Sequence, residues 1–481
     1  MNFIIFQPDE LRAESVGCYG HPLAPTPNMD RLAAQGTRFD QCHVQHTVCS
    51  PSRCSMMTGW HPHVRGHRTL WHLLRPDEPN MLKYLKQAGY TVLCYGKNDL
   101  LAEASFADSV TEYRRFGKGL FGKNPYSVDD PRYYTFLFDA YEGPLEEHGD
   151  YANTQAAIRF LRSRPTEPFI IFLPLTFPHC PYSAPQPYHD LINPDDLPPL
   201  RPADLPNRPD FHRLMRQYRR FDQMSAAQES EVLRKIQAVY LGMTGFIDEL
   251  LGQVMDALDE TGLADETTLT FTSDHGDYAG DYGLVEKWPS AAEDIVTRVP
   301  LIVRTPGGQA GHVVHEPMEL FDIMPTTLEQ ANVEVQHSHF ARSYGAELGG
   351  AAGDPTRAAF TEGGYARHEP HNFEGRSNRD QFARDATHIY FPKGLQQQEH
   401  PDSVGRSVAM RTGTHRLVYR PTGQGELYDM AADPQELNNV YGQPAYADTQ
   451  RQLESRLLEW YVQTSDVTPF DMDPRGLPAG H

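Results

Sequence analysis

A set of short, almost wholly apolar runs, separated by stretches with helical spacing, constrains this chain more than any other feature. Asn2–Phe6 (NFIIF), Thr91–Tyr95 (TVLCY), Phe169–Leu175 (FIIFLPL), Thr267–Thr272 (TTLTFT) and Val299–Val303 (VPLIV) have the length and continuity of buried strands. Between them, Asn80–Ala88, Thr154–Arg162 and Gln228–Thr261 repeat apolar residues with the period of an amphipathic helix. Strands that are apolar on both faces must be covered on both faces. The pattern therefore predicts a parallel sheet covered on both faces by helices, an α/β layer fold.

Beyond Gly345 the texture changes. Gly and Pro punctuate Ala346–Pro355, and Arg367–Arg384 is polar without periodicity. Ser407–Arg411, His415–Tyr419 and Glu426–Asp429 are short strand candidates separated by turns, and Tyr446–Thr464 has the pattern of one amphipathic helix. The expected division is a large α/β domain over residues 1–345 and a smaller C-terminal α+β domain, built on an antiparallel sheet, over residues 346–481. The Pro-containing segments Pro181–Pro209 and Pro469–Pro478 are expected to be surface loops.

Charge and cysteine usage narrow the function. With 64 acidic residues against 43 basic ones the formal net charge is -21, which argues against nucleic acid as a partner. An anionic substrate would have to be held by a local positive site against that field. No segment reaches the roughly 18 apolar residues of a membrane span, so no membrane partner is expected. The N-terminal MNFIIFQPDE lacks the basic and apolar regions of a secretory leader, and a cytoplasmic location is expected. The 6 cysteines (Cys18, Cys42, Cys49, Cys54, Cys94, Cys180) form no CxxC pair and no Cys/His zinc spacing. All but Cys49 are expected to serve packing alone.

Reactive side chains follow the strand candidates. Asp9 and Glu10 come after the first, Lys97 after the second, His179 after the third, and Asp274 with His275 after the fourth. In open α/β sheets such positions meet at the edge formed by the carboxyl ends of the strands. Asp9, Glu10, Asp274 and His275 suit a divalent cation, because clustered carboxylates without one would repel. Oxygen donors favour Ca²⁺ or Mg²⁺, and the imidazole widens the choice towards Mn²⁺. In Cys49-Ser50-Pro51-Ser52-Arg53 the proline suits a helix's first turn, which puts Cys49 where free amides favour an anion and Arg53 one turn further in.

Cys49-Ser50-Pro51-Ser52-Arg53, followed by Thr58-Gly59, resembles the signature of the sulfatases, in which that cysteine is oxidised after translation to Cα-formylglycine. Pro8-Asp9-Glu10-Leu11-Arg12, with Gly17-Cys18-Tyr19-Gly20 behind it, looks like that family's N-terminal metal motif. Thr26-Pro27-Asn28-Met29-Asp30-Arg31-Leu32 is similar to its TPNxDRL helix start, and Tyr95-Gly96-Lys97 to its Gly-Lys element. Pro178-His179-Cys180-Pro181 resembles its PHxP loop and Thr272-Ser273-Asp274-His275-Gly276 its second metal motif. Near the end, Glu426-Leu427-Tyr428-Asp429 and Asp433-Pro434-Gln435-Glu436-Leu437 resemble its LYD…DPxE pattern.

The resemblance implies an alkaline-phosphatase-like α/β fold, a large mixed, mostly parallel sheet between helix layers, and the hydrolysis of a sulfate ester, of a small carbohydrate or aryl alcohol, to alcohol and inorganic sulfate. The hydrated aldehyde derived from Cys49 would attack sulfur, and the sulfated hemiacetal would expel sulfate as the aldehyde returns. Metal ligands would be Asp9, Glu10, Asp274, His275 and the residue made from Cys49, with Ca²⁺ the first choice and Mn²⁺ or Mg²⁺ the alternatives. Arg53 would steady the ionised nucleophile, Lys97 and Lys287 would neutralise sulfate oxygens, and His179 would stabilise or protonate the leaving oxygen. A formylglycine-generating maturation enzyme is the implied protein partner, and the chain could be a homo-oligomer.

Two departures stand out. The family has Asp or Gln where this chain has Glu10, and the histidine of its Gly-Lys-x-His is replaced by Asp99, the candidate for that proton-accepting role. The basic stretch His61–Thr69 follows the signature, and Arg65, Arg68 and Thr69 are its candidates for a second anionic group of the substrate, such as a uronate carboxylate. Three competing readings are a phosphonate monoester hydrolase or phosphodiesterase with the same nucleophile, a sulfate-ester-binding protein without turnover, and a thiol hydrolase using Cys49 directly.

Overall fold

The computed structural model describes residues 1–366 and 384–467. Apart from Arg384, the polar stretch Arg367–Arg384 lies outside the described residues, as does Pro469–Pro478.

The large sheet is built from β1 (Asn2–Asp9), β2 (Thr37–His43), β3 (Thr91–Tyr95), β4 (Glu112–Arg114), β5 (Phe169–Pro178), β6 (Thr267–Thr272), β7 (Arg298–Arg304) and β8 (His312–Glu319). Their order is β4-β3-β5-β1-β6-β7-β2-β8. β7 runs against both of its neighbours, while every other pairing in the sheet is parallel. The run Val299–Val303 thus forms a strand as expected, but a reversed one. β2, β4 and β8 escaped the reading of apolar runs because polar and partly exposed residues interrupt β2 and β8, and β4, at the sheet's edge, buries none of its three residues.

Central β1 shows why its sequence is apolar throughout. Phe3 and Ile5 point into one hydrophobic cluster, with Phe172, Met56 and Leu82, while Ile4 and Phe6 point into the other, with Phe271, Met243 and Ile247. A two-residue period feeds both helix layers at once. One layer is dominated by the 36-residue helix Ala226–Thr261. Its start is fixed by a reciprocal cap, in which the Gln228 amide donates to Ser225 Oγ and the Ser225 amide to Gln228 Oε1. It stops at Gly262, whose φ of 75° suits a residue without a Cβ.

The C-terminal sheet has β9 (Ala359–Gly363), β10 (Ser407–Arg411), β11 (His415–Tyr419) and β12 (Glu426–Asp429), all antiparallel in the order β12-β11-β10-β9. The last three match the sequence reading residue for residue; β9 was not foreseen. Helix Ala447–Thr464 buries Leu453, Leu457 and Trp460 against Phe360, Met410, Leu417 and Leu427. Between the sheets, Trp288 Nε1 donates to the Ser403 carbonyl at 2.6 Å and Arg420 Nη1 to the Ser290 carbonyl at 2.7 Å.

Pro181–Pro209 is not a surface loop throughout. Tyr182, Ser183 and Ala184 are fully buried, because Tyr182 finds a partner in Asp277 at 2.7 Å and Ser183 one in the Asp139 carbonyl at 2.7 Å.

Candidate active site

The topology collects the reactive residues at one edge. β1, β2, β3, β5 and β6 run the same way, so Asp9, the chain leading to Cys49, Lys97, His179 and Asp274 emerge together at their carboxyl ends. Because β7 is reversed, the whole connection from β6 to β7 stays at that edge and brings Lys287 with it.

Local backbone features then aim each side chain. The β1–β5 register slips between Gln7 and Asp9, and Glu10 follows with φ of 72°, a left-handed conformation rarely adopted by a non-glycine residue. Gly96, just before Lys97, has φ of 135°, and a Cβ there would lie 2.0 Å from the Pro174 carbonyl oxygen. Gly276, just after His275, packs so closely that a Cβ would lie 2.0 Å from the Ile295 carbonyl oxygen. Helix Cys49–Thr58 begins at Cys49, and all ten of its residues are buried.

Cys49 Sγ lies 3.2 Å from His275 Nε2, 3.5 Å from Asp9 Oδ1 and 3.7 Å from Lys97 Nζ. Arg53 bridges the two carboxylates of the cluster, its Nη2 at 2.6 Å from Asp9 Oδ2 and its Nε at 2.8 Å from Asp274 Oδ2. Lys97 Nζ reaches Asp9 Oδ2 at 2.7 Å and Asp99 Oδ2 at 2.8 Å. His275 Nδ1 donates to the Gly276 carbonyl at 2.9 Å, which leaves its Nε2 lone pair turned towards Cys49. Asp9, Cys49, Asp274 and His275 are fully buried, and each offers one donor atom within 4.8 Å of the others.

Glu10 stands apart from those four. Its Oε2 lies 3.1 Å from Lys287 Nζ and 3.3 Å from His179 Nε2, and its Oε1 is a buried oxygen with no hydrogen-bond partner among the described residues. Lys287 Nζ donates to His179 Nε2 at 2.7 Å, while His179 Nδ1 bonds the Cys180 carbonyl at 2.5 Å. Glu10, His179 and Cys180 also bring donor atoms together. The Lys287 ammonium already lies against two of them.

Charge states follow from burial and neighbours. Burial pushes the Asp9 carboxyl up, but Lys97 and Arg53 outweigh it and hold the group well below the carboxylate range. Burial and then Asp9 push the Cys49 thiol well above its ordinary value, against the pull of Lys97 and Lys287. Burial lifts Glu10 well above the carboxylate range; Lys287 opposes, and Asp277, Glu286 and Asp9 add to the rise. Burial keeps His179 neutral, reinforced by Lys287 and Lys97, and burial likewise lowers His275. Both lysines are raised in spite of burial, Lys97 by Asp9 and Lys287 by Glu10.

Arg65, Arg68 and Thr69 make no contact with the Cys49 cluster among the described residues. Arg68 Nη2 is bound to Glu362 Oε2 at 2.5 Å, and Thr69 Oγ1 accepts from the Trp71 amide at 3.3 Å. Arg65 is exposed, with its guanidinium 5.5 Å from the Trp60 ring centroid. Arg65 and Arg68 line a cleft of about 740 Å³ together with Arg75, Arg406 and Tyr461. Sequence reasoning missed Tyr240, whose hydroxyl donates to the Glu10 carbonyl at 2.6 Å, and Glu286, which no local pattern marked beyond its place beside Lys287.

Known proteins share both the sequence and the fold. The family model described as Sulfatase matches residues 1–333, and that described as N-sulphoglucosamine sulphohydrolase, C-terminal, matches residues 367–463. The multifunctional alkaline phosphatase superfamily protein PehA of Trinickia caryophylli is 27% identical, covering 98% of this chain and 96% of its own. The N-acetylglucosamine-6-O-sulfatase of Bacteroides thetaiotaomicron is 27% identical, covering 98% and 88%. Among solved structures, the phosphonate monoester hydrolase of Agrobacterium radiobacter superposes with a TM-score of 0.77 at 21% identity, over 99% of this chain and 98% of that one. A protein solved in complex with its substrate D-glucosamine-2-N,6-O-disulfate superposes with a TM-score of 0.74 at 23% identity, over 96% and 98%. No described helix is long and apolar enough to cross a membrane.

Proposed function

The chain belongs to the sulfatase family of sulfuric ester hydrolases, and from that premise we propose that it cleaves a small carbohydrate or aryl sulfate through an aldehyde hydrate made from Cys49. The observation that carries this reading is the convergence of Asp9, Asp274, His275, Lys97 and Arg53 on a buried Cys49 at the start of a helix.

The thiol itself is a poor candidate for the nucleophile. Burial and Asp9 keep it protonated, and a thiolate is what attacks. His275 bonds a backbone carbonyl through Nδ1 rather than an acid, so the Cys–His–acid arrangement of a thiol hydrolase is not built. Oxidation of residue 49 to Cα-formylglycine by a maturation enzyme replaces the thiol with an aldehyde, whose hydrate offers one hydroxyl to attack sulfur and a second to release sulfate.

The donor set fits a divalent cation: two carboxylates, a neutral imidazole and residue 49 converge in a buried cradle, with Glu10 and its unpartnered oxygen beside it. Asp9, Asp274, His275 and residue 49 would hold it, Ca²⁺ before Mn²⁺ or Mg²⁺, with Glu10 as the additional candidate ligand. Bound there, the ion supplies positive charge to sulfate oxygens and lowers the pKa of the attacking hydroxyl.

The chain's own residues do the rest. Arg53 fixes the spacing of Asp9 and Asp274 through its rigid fork. Lys97 and Lys287 place two ammonium groups to meet sulfate oxygens. The hydrogen-bonded pair of Lys287 and His179 can hand a proton to the leaving oxygen. Asp99, 2.8 Å from Lys97, is assigned the proton-accepting role when sulfate departs. Arg65 and Arg68, lining the basic cleft, and neighbouring Thr69 are assigned to a second anionic group of the substrate, with Arg68 already neutralised by Glu362. All 6 cysteines are unpaired, which fits a reducing, cytoplasmic setting.

The decisive experiment is peptide mass spectrometry across residue 49 of active protein, where a loss of about 18 Da marks the thiol-to-aldehyde change that creates the nucleophile. An unmodified thiol in protein that turns over aryl sulfate would overturn the mechanism. Profiling sulfate against phosphonate monoesters separates this reading from the phosphonate hydrolase whose fold the chain shares.

A further inference from the structure

Glu286 and Lys287 are consecutive, buried and of opposite charge, and Lys287 Nζ lies 3.9 Å from Glu286 Oε1. Yet Lys287 turns the other way, to Glu10 at 3.1 Å and His179 at 2.7 Å. Two other cations explain this. Lys393 Nζ takes Glu286 Oε1 at 2.8 Å, and Arg219 Nη2 takes Glu286 Oε2 at 2.6 Å. Lys393 sits on the helix Phe391–Glu399, far along the chain from the large sheet, and Arg219 closes the helix Asp210–Tyr218. Arg219 is held in turn by the Tyr134 carbonyl at 3.0 Å and by the Phe136 ring, 4.4 Å away.

We infer that Lys393 is a positioning residue for Lys287: by occupying Glu286 it leaves the Lys287 ammonium to His179, Glu10 and the sulfate group. This rests on the sulfate-binding role given to Lys287 above. A buried carboxylate that loses one partner turns to the next cation within reach. From 3.9 Å, a shift of about 1 Å brings Lys287 to hydrogen-bond distance of Glu286. That shift withdraws the ammonium from the reacting group, and misplacement on this scale can cost about 10²-fold in rate. Burial pushes the Glu286 carboxyl up, but Lys393, Lys287 and Arg219 together hold it below its ordinary value, so it is a charged competitor. Catalysis by the large domain thus depends on a lysine from the C-terminal part of the chain.

The test uses fully matured full-length protein, aryl sulfate turnover, and inorganic sulfate as the product inhibitor. Lys393→Met is expected to raise the inhibition constant for sulfate and lower kcat/KM by about tenfold or more, with unchanged formylglycine content. Lys393→Arg is expected to retain near wild-type values. The double variant Lys393→Met with Glu286→Gln, which removes the competing charge together with its partner, is expected to recover sulfate binding; a purely structural role would not predict that recovery. Wild-type kinetics in Lys393→Met, or a double variant as impaired as the single one, overturns the inference. Lys287→Ala serves as the reference. If it leaves sulfate inhibition and turnover intact, the role of Lys287 and this inference fall together; if it is impaired while Lys393→Met is normal, only the inference falls. Should Lys393→Met not fold, Lys393→Gln, whose neutral amide leaves the Glu286 charge uncompensated, takes its place. A raised inhibition constant for sulfate supports the inference there, and an unchanged one overturns it.

Discussion

At the scale of single residues, the site is organised by one arginine. Arg53 contacts both Asp9 and Asp274 through different nitrogens of the same fork, with every partner atom shielded from water. Lysine carries the same charge but cannot span two carboxylates in a fixed geometry. Arg53→Lys is therefore expected to lower kcat by about 10²-fold at unchanged formylglycine content, read by steady-state kinetics with peptide mass spectrometry as the control. Near wild-type turnover would show that the spacing of the two aspartates does not matter. The metal assignment has its own readout in stability. A chelator should lower the melting temperature of wild-type protein, because an ion at a hundredfold excess over its Kd stabilises the fold by about 2.7 kcal/mol. Asp274→Asn should melt at the same temperature with and without chelator. An equal chelator response in both proteins would place the ion elsewhere.

At the scale of elements, the contact between the His61 turn and the C-terminal helix Ala447–Thr464 is expected to be pH-sensitive. Trp460 Nε1 donates to His61 Nε2 at 3.2 Å, which requires a neutral imidazole, and burial lowers His61 to about 3. The folded pKa lies below the unfolded value of about 6.5, so this contribution is complete above pH ~6.5 and declines as pH falls from there towards 3. His61→Gln removes the titrating group. The stability gap between wild type and variant should accordingly narrow on going from pH 7.5 to pH 5, by about 1.4 kcal/mol per unit below 6.5 at most. Denaturant titrations at the two pH values measure it, and a constant gap would mean that His61 titrates normally. The same scale shows how the helix Cys49–Thr58 is constrained: with all ten residues buried, its start cannot move without disturbing both the core and the site.

At the scale of the whole molecule, the connection from β6 to β7 packs against the C-terminal part of the chain. Trp288, Tyr365 and Val404 belong to one buried cluster, and Ala292 packs with Ala409 and Val418. Residues 1–345 expressed alone would expose that surface and leave Glu286 without Lys393. The fragment is expected to aggregate, or to show no cooperative unfolding transition by calorimetry. A cooperative transition in this fragment would show that the large sheet is self-sufficient.

Much of this was legible in the chain itself. The apolar runs identified most of the inner strands because burial on both faces leaves no room for polar alternation, and the Cys49 string, the carboxylates after β1 and β6 and Lys97 after β3 marked the residues that the fold brings together. The edge strands β4, β8 and β9, and the more polar inner strand β2, stayed hidden because sequence shows hydrophobicity and not pairing. The reversal of β7 was equally invisible, since a buried strand has the same composition in either direction, yet that reversal keeps Lys287 at the site. Sequence also could not say that Glu10 turns to Lys287 and His179, that Arg68 is neutralised by Glu362, or that Lys393 reaches Glu286. Local chemistry is written in neighbouring residues. Which charges meet across long stretches of chain is settled only when packing removes water and every buried ion has to find a partner.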